Sequence, residues 1–121
     1  MTRQSISADH LVFRLFQVID SRSWAELGEV FTEDALYERP GYAPLEGLER
    51  IRHFYEHERI IVAGAHEVTQ VTGASAAAAC WGLFQGTSSD GEPLNEAFAD
   101  TYLVREGKIE HRKTFFYRPA I

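Results

Sequence analysis

The chain changes hydrophobic period along its length, and that change constrains the fold more than any other feature. In the first half Leu11, Val12, Leu15, Phe16 and Ile19 recur at helical spacing, with Arg14, Gln17 and Asp20 between them. Ser23-Trp24-Ala25-Glu26 reads as a capping box opening a short second helix over 24–31, with Leu27, Val30 and Phe31 on its apolar stripe. Residues 35–39 suit a short strand, broken by Pro40-Gly41-Tyr42-Ala43-Pro44. A third helix follows Gly47, with Leu48, Ile51, Phe54 and Tyr55 on one face and Glu49, Arg50, Arg52 and Glu56 on the other. The second half reads as strands over 66–72, 75–85, 95–105 and 108–117. Gly73, Thr87-Ser88-Ser89-Asp90-Gly91 and Glu106-Gly107 separate them with hairpin turn chemistry. Helices followed by an antiparallel meander make an α+β pattern, and 121 residues with no linker or repeat predict one domain over 1–121.

Charge narrows the function classes. The net charge is -6, and no basic cluster is denser than Arg50 with Arg52 or Arg112 with Lys113, so no nucleic-acid partner is expected. A single cysteine, Cys80, excludes an internal disulfide and fits a reducing compartment. No apolar run reaches the roughly 18 residues of a membrane span, so no membrane partner is expected. Residues 1–5 lead into no export signal, and a cytoplasmic location is the expectation.

Asp100 is the first catalytic candidate. It alternates with Phe98, Tyr102 and Val104, so all four share one strand face. A carboxyl among aromatic side chains loses hydration, its pKa should rise, and a protonated carboxyl can donate to a developing oxyanion. The plain alternative is an ion pair with Arg39, Arg112 or Lys113. Glu96 shares that face and is a candidate base if it points inward, against a solvated place near the strand end. On the last strand His111 and Lys113 alternate with Arg112 and Thr114, and either face can be internal; a bulge would shift the parity midway. An inward His111 is the best general base in the chain. Arg39 stays protonated, so it can bind an anion or pair with Asp100 but cannot abstract a proton. His53 and His57 stand at helical i, i+4 spacing but lack a third ligand, and His10 and His66 have no partner visible in sequence; no metal is expected. No nucleophile elbow and no glycine-rich phosphate loop is present.

Several phrases carry a family resemblance across about residues 9–117. They are Phe31-Thr32-Glu33-Asp34-Ala35-Leu36-Tyr37, then Glu38-Arg39-Pro40 with Gly47 and Ile51-Arg52-His53-Phe54-Tyr55, and then residues 99–111. Together they resemble the SnoaL-like, ketosteroid-isomerase-like branch of the nuclear transport factor 2 (NTF2-like) superfamily. The resemblance implies a cone: three N-terminal helices packed on a strongly curved antiparallel sheet, enclosing one pocket. It implies a pocket walled by some of Phe16, Tyr37, Tyr55, Trp81, Phe84, Phe98, Tyr102 and Phe116, a small hydrophobic ligand, no cofactor and a homodimer. Asp100 matches the isomerase's protonated aspartate, and SnoaL-like proteins often carry a histidine at the position of His111. Where the isomerase has its proton-moving aspartate, this chain has Arg39, which suits an enolate anchor. The isomerase's first-helix tyrosine has no match in Arg14-Leu15-Phe16. The Arg-x-Asp pair of limonene epoxide hydrolases is also missing, since Phe98 replaces the arginine. The function implied is cofactor-independent isomerisation, cyclisation or dehydration of a polyketide-, terpenoid- or steroid-like carbonyl compound. The alternative is a non-catalytic binding protein that kept the pocket.

Overall fold

The computed structural model describes residues 8–117. In chain order they form helix α1 (Ala8–Asp20), a 3₁₀ segment (Trp24–Glu29), strands β1 (Phe31–Glu38) and β2 (Leu45–Glu46), and helix α2 (Leu48–His53), which continues as a π-helical stretch (Phe54–Glu58). Strands β3 (Ile61–Gly73), β4 (Ala77–Ser88), β5 (Pro93–Arg105) and β6 (Lys108–Phe116) follow. No helix among these residues is long and apolar enough to cross a membrane.

Helix α1 buries Leu11, Val12, Leu15, Phe16 and Ile19, the stripe its spacing predicts, and also Val18, against β3 and β4. The second helix is shorter and tighter than expected. The capping box does not form: Ser23 makes no side-chain cap bond, its hydroxyl meets Ser21 at 2.8 Å, and Glu26 pairs with Arg14 on α1 instead. Phe31, assigned to that helix by its apolar stripe, opens β1.

The six strands lie in one sheet in the order β2-β1-β6-β5-β4-β3. The β3–β6 meander is antiparallel as expected, but β1 runs parallel to β6, so the sheet is mixed. The turn between β5 and β6 has Glu106 at φ 51° and Gly107 at φ 78°, the pair of positive φ values that a two-residue type I′ hairpin requires. Register shifts interrupt the β3–β4, β5–β6 and β1–β6 ladders, and such bulges bend a sheet. The helices cover its concave face.

One bulge decides which side chains enter the cone. Val104 pairs with Ile109 but Leu103 pairs with His111, so Glu110 is an extra residue on β6. The parity of β6 flips there. Ile109 is internal, and beyond the bulge Arg112 and Thr114 are internal while Lys113 and Phe115 are exposed.

Candidate active site

Asp100 is fully buried at the centre of the sheet and is held by donors from two strands. Tyr102 donates its hydroxyl to Oδ2 at 2.6 Å, and Arg112 donates Nε and Nη2 to the same oxygen at 3.0 and 2.9 Å. Thr114 donates Oγ1 to Oδ1 at 2.6 Å. Donors thus converge on both oxygens, which makes the carboxyl an acceptor. The guanidinium of Arg112, one of the three ion-pair partners that the sequence offered for Asp100, supplies the counter-charge. Burial alone would lower the pKa of Arg112, but Asp100 and then the phenols of Tyr37 and Tyr55 outweigh it and hold it well above the usual arginine value. Burial and the Asp100 charge push Tyr102 far up, so it stays a phenol. The same two influences raise the Cys80 thiol to about 11, which leaves Cys80 an unreactive buried side chain.

A second chain of bonds joins β1 to this cluster. Arg39 donates Nη1 to the Tyr37 hydroxyl at 3.0 Å, and Tyr37 meets Thr114 Oγ1 at 3.0 Å. Burial would raise the Tyr37 pKa, but the guanidinium groups of Arg112 and Arg39 more than offset it, and the net direction is down. Arg112 Nη1 donates to the Tyr55 hydroxyl at 2.9 Å.

In front of these groups lies a cavity of about 10 Å³, room for roughly one water molecule. Arg39, Arg59, Arg112, His66 and Thr114 line it together with Ile61, Phe84, Phe98 and Phe116. It is therefore far more cationic than the aromatic-walled pocket that the family resemblance implies. Aromatic faces replace part of the lost hydration of each guanidinium. Arg39 lies over Phe54 and Phe116, Arg59 over Tyr55 and Phe84, and Arg112 over Phe16 and Tyr37, all within 6 Å of the centroids. The π-helical stretch helps to place Arg59. Its amide closes the last wide turn by bonding the Phe54 carbonyl at 2.9 Å, so Arg59 follows Tyr55 onto the cavity side.

His66 is the residue the sequence did not single out. On β3 it stacks on Phe16 at 4.5 Å and leans on Phe84 and Phe98. Asp20, the last residue of α1, holds it twice: Oδ2 accepts the His66 backbone N–H at 2.8 Å and Oδ1 meets ring Nδ1 at 2.5 Å. A carboxylate opposes the helix dipole at a C-terminus, so Asp20 gains its stabilisation from His66 rather than from α1. The bond assigns the proton to Nδ1 and leaves Nε2 an acceptor, with no hydrogen-bond partner among the described residues. Burial lowers the His66 pKa, and the Asp20 contact only partly restores it, so the ring is neutral at pH 7.

The other sequence candidates sort by strand face. Phe84, Phe98 and Phe116 line the cavity. Tyr37, Tyr55, Tyr102 and Phe16 are buried behind its walls. Glu96 is buried on the Phe98 face but does not line the cavity. His111 does not reach it: the Glu110 bulge turns it to the outer face, where Nε2 pairs with Glu38 at 2.6 Å. Trp81 is also outside and 48% exposed, because Phe84 three residues later occupies the inner face and a regular strand cannot present both. Among the described residues no three His, Cys, Asp or Glu side chains gather as a metal site.

With this geometry in hand, the likeness to known proteins is clear in the fold. The profile of the SnoaL-like domain matches residues 12–112. No curated protein sequence matches the chain significantly. Among solved structures, a proposed SnoaL-like polyketide cyclase of Jannaschia sp. CCS1 superposes with a TM-score of 0.80 at 14% identity, over 97% of this chain and 91% of that one. A ketosteroid-isomerase-like protein of Catenulispora acidiphila, crystallised with trimethylamine, gives 0.79 at 16% identity, over 91% and 86%. An epoxide hydrolase of the LEH-like type from M. tuberculosis gives 0.76 at 13% identity, over 88% and 79%. The chain belongs to the SnoaL-like domain family and has the NTF2-like α+β fold.

Proposed function

We propose that the protein is a cofactor-independent acid–base catalyst acting on a small carbonyl compound with an apolar body, by isomerisation, cyclisation or dehydration. The observation that carries this reading is the neutral imidazole of His66 on the wall of a cavity that also presents guanidinium groups. Nε2 takes a proton from the carbon next to the carbonyl. The Arg39 guanidinium faces the enolate oxygen. Asp20 steadies the imidazolium that forms, and the imidazolium then returns the proton to another carbon or to a leaving hydroxyl. Asp100 acts behind this surface, fixing Arg112 and Thr114 in the wall. The cyclase named among the structural neighbours agrees with such chemistry.

The test is proton exchange in heavy water, followed by NMR over a panel of enolisable ketones and enones. Deuterium uptake or double-bond migration supports the reading. A second reading, a binding protein without turnover, is favoured by the full engagement of Asp100 with Arg112, Tyr102 and Thr114. Compounds that bind without exchanging would establish that one instead.

We also propose that the outer sheet face pairs with a second copy. Trp81, Leu83, Leu103 and Phe115 stand exposed there. Ala99 lies in register between Trp81 and Phe115, leaving a shallow groove that a two-fold related ring can fill.

A further inference from the structure

Three of the chain's 12 lysine and arginine residues line one cavity in a protein of net charge -6. Their situations differ. Arg112 is neutralised by Asp100. Arg39 is bonded to Tyr37. Arg59 makes no ion pair and no side-chain hydrogen bond among the described residues, and its Nε is buried without an acceptor. Buried cations are ordinarily paired, and buried donors ordinarily have acceptors. The aromatic faces of Tyr55 and Phe84 hold the guanidinium plane but offer its N–H edge nothing.

We infer that Arg59 is the anchor for a carboxylate on the ligand, so that the substrate class is a small oxo acid or a related carboxylate-bearing carbonyl compound. The inference deepens the acid–base reading and rests on it for the word substrate, though anion binding itself does not need turnover. The guanidinium fork matches a planar carboxylate through two parallel bonds, which would satisfy the orphaned Nε. The cavity has room for about one water molecule, so the carboxylate enters by displacing that water while the Phe84 and Phe116 rings give way, and only Arg59 lacks an anionic or hydroxyl partner; both features favour a compact monoanion over a phosphate ester. Arg59 sits where the π-helical stretch meets β3, and His66 is on β3. Arg59 and His66 line the same cavity, so a ligand held at one end by Arg59 lies next to His66. Burial already lowers the Arg59 pKa to about 10, the direction expected of a cation awaiting its counter-ion.

The test compares acetoacetate and pyruvate with acetoacetamide and acetone, at matched ionic strength and neutral pH. Calorimetric titration reads affinity and thermal melting reads stabilisation. The carboxylates should bind about tenfold or more tightly than the neutral compounds, and only they should raise Tm. Arg59→Met should fold, having lost a partly buried, unpaired charge, and should bind acid and amide alike. Arg59→Lys should keep part of the preference. Equal binding of acids and neutral analogues by the wild type, no carboxylate binding up to the solubility limit, or an undiminished preference in Arg59→Met would each overturn the inference. Carboxylate binding without exchange of the adjacent protons would leave it standing and remove the acid–base reading. Exchange of neutral ketones with no carboxylate preference would do the reverse.

Discussion

At the scale of single residues, the contrast between Asp100 and His66 organises the site. Asp100 is fully buried and His66 is partly buried, and of the two only His66 has a polar atom without a hydrogen-bond partner among the described residues. Asp100→Ala leaves the Arg112 cation buried without its carboxylate, so it should cost about 3–5 kcal/mol of stability by chemical denaturation; a loss under 1 kcal/mol would show that the pair contributes little. His66 gives a pH signature. Its folded pKa lies below the ordinary 6.5, so the unfolded chain binds the proton more readily in mild acid. Stability should therefore fall as pH drops through 6.5 towards the folded pKa, and kcat/KM should fall at lower pH, as the folded pKa itself is passed and the base is lost. His66→Gln should flatten both, and an unchanged acid limb in that variant would assign the titration elsewhere. Asp100 was legible because alternation fixes its face. His66 was not: its partner Asp20 is 46 residues away, and no local pattern links a helix end to the middle of a strand.

At the scale of elements, sequence periodicity placed the helices and long strands, and backbone irregularities then decided what they present. The four strands of the meander were legible from turn chemistry at Gly73, Gly91 and Glu106-Gly107. The parallel pairing of β1 with β6 was not, since pairing partners leave no mark in a single strand's alternation. The Glu110 bulge sends His111 out and Arg112 in, and one residue of parity outweighs the better intrinsic base. Glycines shape the cavity in a similar way. Gly64 and Gly86 face each other across β3 and β4, and a Cβ at Gly64 would lie 2.3 Å from the Phe84 ring. Gly64→Ala should push that ring into the cavity and destabilise the fold by about 1–3 kcal/mol. A crystal structure of the variant with Phe84 unmoved, or an unchanged Tm, would contradict this.

At the scale of the whole molecule, the sheet has an inside that holds charge and an outside that carries an apolar patch. Four large apolar residues exposed at 45–48% sit on β4, β5 and β6, an arrangement that a second copy would bury. Trp81→Glu should convert a dimer to a monomer in analytical ultracentrifugation at micromolar concentration while the cavity persists; a wild-type monomer would refute the pairing. Trp81 was taken for a pocket wall because its size and its neighbours in sequence suit either face. The cavity's charge, by contrast, appears only when β1, β6 and the α2–β3 junction come together, bringing in arginines from positions 39, 59 and 112.

The claim at the centre of this account is that His66 moves the proton. The measurement that reaches it is the rate of deuterium uptake into an enolisable ketone, compared between the wild type and His66→Gln at neutral pH. Removing a general base typically costs a hundredfold or more. The account predicts a loss of about that size with the fold intact by circular dichroism; exchange at the wild-type rate in His66→Gln would contradict it.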